Sequence, residues 1–184
     1  MKHVKKIISI IIFIVVAVVV RVALYGGNSG MGDHEIKING ENIELNKTTV
    51  QDMIDKGYEI SDTKYYKKPN TITANTYSIN YCASINKDEE QYASIKVVNK
   101  TNSEANLEDC QIIGLDFEGS QNDKNLEIDG YNPLGMKEDE LKSKLGDNYK
   151  KDENKIIVED GDYTCTYYID DSEVSSAMVS VNVK

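Results

Sequence analysis

Twice in this chain a short polar strand runs into a tight-turn dipeptide and then into a short helix. The first pass reads INGENIELNKTTVQDMIDKGY, Ile38 to Tyr58; the second reads IDGYNPLGMKEDELKSKLGDNY, Ile128 to Tyr149. With Val50 set on Leu141 and Ile54 on Leu145, Leu45 falls on Met136 and Tyr58 on Tyr149, and one residue of slack brings Gly40 onto Gly130. A chain that restates itself is built from two similar units. Each unit here is too small to bury a secure core alone, so the two are expected to lie side by side.

The turn dipeptides are Asn39-Gly40 and Asp129-Gly130, the pairs best suited to positive φ at both central positions. Val50, Met53 and Ile54 give the first helix an apolar stripe, with Asn46 or Thr48 placed to cap its start and Gly57 its end. Leu141 and Leu145 give the second helix its stripe, ended by Gly146. Helices this short need a sheet to lie on. Alternating apolar residues supply it: Thr73 to Ile85 with Tyr77, Ile79, Tyr81 and Ala83, then Ala93, Ile95 and Val97, then Ile113, Leu115 and Phe117. In the second unit Ile156 to Glu159, a turn at Asp160-Gly161, then Tyr163, Cys165, Tyr167 and Ile169 share the pattern, and Ala177, Val179, Val181 and Val183 close the chain. The class expected is α+β: an amino-terminal transmembrane helix, then two βα-meander repeats with antiparallel sheets and short helices packed on one face.

The transmembrane expectation comes from the amino terminus. Ile7 to Val20 is apolar except for Ser9, the run continues past Arg21 to Tyr25, and Lys2, Lys5 and Lys6 precede it. A run of that length behind a basic segment reads as a bilayer anchor. Ala23, Leu24 and Tyr25 make a poor cleavage site, and no cysteine ends the run for lipidation. The lysines favour a cytoplasmic amino terminus with the remainder outside, at the cell membrane. The expected division is therefore a basic segment and anchor over 1–25, a flexible linker over 26–34, a first repeat over 35–118, a connector over 119–125 and a second repeat over 126–184.

Beyond the anchor the chain is strongly acidic. Its 21 cationic residues, less Lys2, Lys5, Lys6 and Arg21, leave 17 against 31 acidic ones, a net charge of −14. Nucleic acid is excluded as a partner on that balance, and so is an anionic lipid surface for the ectodomain. The membrane contact expected is through the amino-terminal helix alone. Heavy use of Lys, Asn and Ile with one Arg and no Trp suggests an AT-rich bacterial genome, and with a single membrane the outside is the envelope.

The phrase PLGMKEDELKSKLGDNY, Pro133 to Tyr149, followed by a hairpin and a final strand, resembles the repeat of the β-lactamase-inhibitor-protein-like and SmpA/OmlA-like envelope proteins. LNKTTVQDMIDKGY, Leu45 to Tyr58, resembles a segment of uncharacterised membrane-anchored proteins of Gram-positive bacteria. Lys137 stands where the family has a small capping residue, and the inhibitor's blocking loops have no counterpart here. The resemblance implies a non-enzymatic binding or assembly module, by analogy of fold.

Catalytic constellations are sparse. Beyond the anchor the single histidine, His34, lies in the linker, which removes Ser-His-Asp and Cys-His triads unless the linker folds back. Motifs such as HExxH, GxSxG and a phosphate-cradling glycine loop are absent. Asp116, Glu118, Ser120 and Asn122 alternate like calcium ligands, but Gln121 occupies the place of the loop glycine, so a solvated connector is expected. Neither a metal nor a cofactor is expected. The alternative to a binding module is a carboxylate-based envelope hydrolase, which needs acidic side chains converging in one cleft.

Cys82 and Cys110 are the candidate disulfide pair in an oxidising exterior, leaving Cys165 a buried thiol. Twelve tyrosines against two phenylalanines suit a recognition surface. Most belong to strand faces. Tyr65 and Tyr66 instead sit with Lys67 and Lys68 in SDTKYYKKPNT, the one locally basic patch of the ectodomain, and Tyr131 in DGYNP is a lesser candidate. These five residues are the expected contact with an envelope protein or wall component.

Overall fold

The computed structural model describes residues 34–78, 80–119 and 126–183. The first copy runs β1 (Ile36–Ile38), β2 (Glu41–Asn42), α1 (Val50–Asp55), β3 (Glu59–Ser61), β4 (Thr71–Ile72), β5 (Thr76–Tyr77), β6 (Ala83–Lys87), β7 (Glu90–Asn99), β8 (Ala105–Asn106), a 3-10 turn (Leu107–Asp109) and β9 (Gln111–Glu118). The second runs β10 (Leu126–Ile128), α2 (Glu138–Leu145), β11 (Lys150–Asp152), β12 (Lys155–Asp160), β13 (Tyr163–Asp170) and β14 (Glu173–Val181).

The expected α+β class with helices covering one face needs correction. Strand makes up 48% of the described residues and helix 12%. The reason is length: α1 and α2 are six and eight residues, and they bury only Val50, Met53 and Leu141. Strand and loop residues supply nearly all the rest of the core. The anchor expected over 1–25 lies outside the described residues, as do 26–33 of the linker and 120–125 of the connector. No helix among the described residues is long and apolar enough to cross a membrane.

The two copies share one antiparallel sheet. Its order is β11-β12-β13-β14-β9-β7-β6-β3, with β5 also on β7, so the second copy's meander is followed by the first copy's in reverse. The seam is β14 on β9, with Met178 opposite Asp116 at its middle. A smaller sheet repeats the symmetry. There β1 pairs with its counterpart β10, Ile36 opposite Ile128 and Ile38 opposite Leu126, around the central pair Lys37 and Glu127. A pseudo-twofold axis through both central pairs relates the copies.

One face of the large sheet is apolar. Ala93, Ile95, Leu115, Phe117, Cys165, Tyr167, Ala177 and Val179 lie on it, and Ile36, Ile38, Ile43, Leu126 and Ile128 of the smaller sheet join them in a single core. The other face carries half-buried Ser94, Lys96, Asp116, Thr166, Met178 and Ser180. Apart from a bulge between Lys96 and Val97, beyond which Val97 pairs with Ile112 and both Ile112 and Ile113 are buried, the period-two reading thus holds from Ala93 onward. It fails before that: Thr73 to Ile85 is no continuous strand, and Tyr77 is 54% exposed.

The turns follow from residue type. Asn39-Gly40 has φ of 53° and 77°, Asp129-Gly130 has 53° and 84°, as two-residue hairpin turns require. The cap of α1 is Thr49 rather than Asn46 or Thr48. Its Oγ1 accepts from Asp52 N at 3.1 Å while Asp52 Oδ2 accepts from Thr49 N at 2.7 Å, a reciprocal capping box. Lys137, at the same place before α2, makes no side-chain cap. Thr49 and Lys137 are bridged to Gln111 and Glu173, equivalent starts of β9 and β14, so these two residues correspond. Counted from them Met53, not Val50, matches Leu141, and the longer α2 restores the register at β3 and β11.

Candidate binding surface

The copies differ most in two insertions. Residues 62–82 join β3 to β6, where Glu153–Asn154 suffice between β11 and β12; residues 100–110 join β7 to β9, where Asp171–Ser172 suffice between β13 and β14. The insertions are tied to each other by β4 on β8 and by Leu107 N donating to Asn70 O at 2.9 Å. Their fastening is Asn99, the last residue of β7 and only 1% exposed. Its Nδ2 donates to Ile72 O (2.8 Å), Ser103 O (2.8 Å) and Thr73 O (3.2 Å), and its Oδ1 accepts from Thr101 N and Thr101 Oγ1, both at 2.8 Å. One side chain thereby satisfies backbone groups from both insertions.

Tyr65, Tyr66, Lys67 and Lys68 come together on the longer insertion. Thr63 organises the turn: its N donates to Tyr66 O at 2.9 Å, and its Oγ1 accepts from Tyr66 N at 2.9 Å and Tyr65 N at 3.3 Å. Asp62 Oδ1 accepts from Lys68 N at 3.0 Å, closing the loop ahead of Pro69. These bonds hold the backbone while the rings project. Tyr65 is 72% and Tyr66 48% exposed; with Tyr77 they are the only large hydrophobic side chains exposed among the described residues, and all three belong to the 62–82 insertion. Lys64 Nζ sits 5.3 Å from the centre of the Tyr65 ring, and Lys96 Nζ 5.2 Å from that of Tyr77. Lys68 reaches Glu108 only at 4.0 Å.

Tyr131 is placed elsewhere. It bridges back to Ile128 beside the Asp129-Gly130 turn and packs half-buried against the core. Its hydroxyl stands 3.3 Å from that of Tyr167, and Lys144 Nζ lies 5.4 Å from its ring centre. Burial pushes its phenol up, partly offset by the Tyr167 hydroxyl. It belongs to the second copy, whereas Tyr65 to Lys68 lie on the first copy's insertion.

The candidate pair Cys82 and Cys110 is not bridged in this structure. Cys82, Cys110 and Cys165 are all buried free thiols. Cys82 N donates to Ile95 O on one side of β7, and Gln111, next to Cys110, pairs with Val98 on the other. Two strand spacings of roughly 4.8 Å separate such backbones, whereas a disulfide spans Cα atoms at most about 7 Å apart. Burial raises the thiol pKa of all three, to about 11 for Cys110 and about 12 for Cys165. The native protein is therefore expected to resist a thiol reagent at pH 8, and the denatured, unreduced protein to titrate three thiols. A count of one would restore the bridge.

Asp116 and Glu118 are strand residues of β9 rather than a cation loop, and Ser120 and Asn122 lie outside the described residues. Burial, with Glu118 adding to it, pushes the Asp116 carboxyl up to about 6. Two grooves, of about 600 and 540 Å³, are lined in part by acidic residues. Asp116 lines neither, and in the larger groove Glu159 is paired with Lys150. No group of three or more His, Cys, Asp or Glu side chains gathers as a metal site among the described residues. Compared with known proteins, the chain matches no family model, no curated protein and no solved structure.

Proposed function

We propose that this chain is a non-catalytic binding or assembly module of the cell envelope, and that it grips an envelope protein or wall component through the Tyr65 to Lys68 loop. The observation that carries this reading is the confinement of exposed Tyr65, Tyr66 and Tyr77 to one insertion that the second copy lacks. The shared fold does not need that insertion, and water-facing rings contribute nothing to its core. Rigid aromatic side chains on a hydrogen-bonded loop lose little entropy on contact, which suits recognition.

The test is chemical cross-linking in a native envelope preparation, with the wild-type chain beside a Tyr65→Ala, Tyr66→Ala variant. Aromatic anchors of this kind contribute about 1–2 kcal/mol each, so capture of the partner should fall at least roughly tenfold in the variant. Its unfolding free energy should stay within about 0.5 kcal/mol of wild type, because both rings face solvent. Equal capture by both proteins, or none by either, would count against the loop.

A further inference from the structure

His34, expected in a flexible linker, is docked on the second copy. Its ring lies flat on Tyr163, centroids 3.7 Å apart and planes 12° apart. Nδ1 is 2.9 Å from Asp129 Oδ2, and Nε2 is 3.5 Å from Asp160 Oδ2. Nε2 is buried without a hydrogen-bond partner of good geometry. A charged ring directs an N–H toward a carboxylate on each side; a neutral ring loses one of those charge-assisted contacts and leaves a buried nitrogen facing an anion. Next to it Glu35 N donates to Asp129 Oδ1 at 3.0 Å and Asp129 N to Glu35 O at 2.8 Å, so the ring and the start of β1 hold one turn together.

At the places matching Asp129, Asp160 and Tyr163 the first copy carries other residues. Asn39 stands where the second copy has Asp129, with the same φ of 53°. Lys87 and Glu90 close the β6–β7 hairpin where Asp160 and Tyr163 close β12–β13. The fold itself therefore does not require the His34 contacts. They also form part of a boundary: His34 lines the groove of about 600 Å³ with Asp147, Tyr149, Lys150, Glu159 and Asp160.

We propose that His34 is a proton-operated clasp: charged, it fastens the segment leading into β1 to the Asp129 turn and the β12–β13 hairpin, and neutral, it releases them and removes one wall of the groove. The charged and titratable groups facing it are Glu35 beside it, Asp129 after β10, Glu159 and Asp160 on β12, Tyr163 on β13, and Asp147, Tyr149 and Lys150 across the groove. Lys150 is taken up by Glu159, which leaves Asp129 and Asp160 to act on the ring. The Asp129 hydrogen bond holds the imidazole above its ordinary value of 6.5, against the opposing effect of burial, with the Asp129 and Asp160 charges adding to it. A folded value above the unfolded one means that the clasp contributes fully below about pH 6.5 and is lost as pH rises through the folded value.

The test is an NMR pH titration of the full chain in a His3→Gln background, following the His34 ring and the Glu35 amide. Both should titrate together with a midpoint above 6.5. Glu35 amide exchange, corrected for its intrinsic pH dependence, should quicken at least tenfold across that midpoint. His34→Gln should abolish the Glu35 titration. Asp129→Asn, a change that Asn39 shows the turn accepts, should lower the ring's midpoint, and Asp160→Asn should lower it less. A Glu35 amide that ignores the ring's titration, or a midpoint at or below 6.5, would overturn the clasp.

Discussion

Replacing Asn99 by alanine is expected to destabilise the protein by about 3 kcal/mol, the combined loss of several buried hydrogen bonds and the desolvated groups they leave behind. Ile72 O, Thr73 O, Ser103 O and Thr101 N all lose a partner at once. Asn99→Asp is the sharper variant. It has the same shape and keeps an oxygen for Thr101, but it turns a carboxylate toward three carbonyl oxygens, so it should cost more than alanine. Denaturant unfolding of the three proteins checks the order; an aspartate variant as stable as wild type would show that the amide donors contribute little. The effect should reach function too. Both insertions hang on this residue, so Asn99→Ala should weaken partner capture at the Tyr65 loop without touching either tyrosine.

Phe117→Ala is expected to cost about 4 kcal/mol, toward the upper end for an aromatic core truncation. Phe117 is 1% exposed, opposite Ala177 across the seam, with Ala93 next in register on its other side. Two alanines cannot extend into the space a lost phenyl ring leaves, so the cavity stays open. The form of the transition matters as much as its size. Because one sheet and one core run through both copies, unfolding should remain a single step with a lowered midpoint, the same by circular dichroism and by tyrosine fluorescence. A curve splitting into two steps would mean that the copies fold separately and that the seam between β14 and β9 is a contact between finished domains.

Much of this architecture is legible in the residues. The duplication, the Asn39-Gly40 and Asp129-Gly130 turns, and the alternation of Tyr163, Cys165, Tyr167 and Ile169 depend on neighbours in the chain, and the structure keeps all of them. What pattern reasoning misses is set by distant residues. The stretch from Thr73 to Ile85 alternates like a strand, yet the backbone there is diverted to serve Asn99 and β7. Asn99 looks like any residue at a strand end. His34 reads as linker because Asp129, Asp160 and Tyr163, which hold it, lie some hundred positions away. The Tyr65 to Lys68 loop is visible for the opposite reason: its composition contrasts with everything around it, and exposure needs no partner to be read.

The two outermost strands of the large sheet, β11 and β3, are three residues each, Lys150-Lys151-Asp152 and Glu59-Ile60-Ser61. An open sheet of this width invites a neighbouring molecule to continue its hydrogen-bond ladder, which is the route to aggregation between edges. Three residues provide only a rung or two; β11 carries a charge at both ends, and β3 carries one at Glu59. The pseudo-symmetry places the same short, charged margin on both sides, so the molecule is protected at either end by one inherited solution. Many copies could then crowd together without zipping into a continuous sheet.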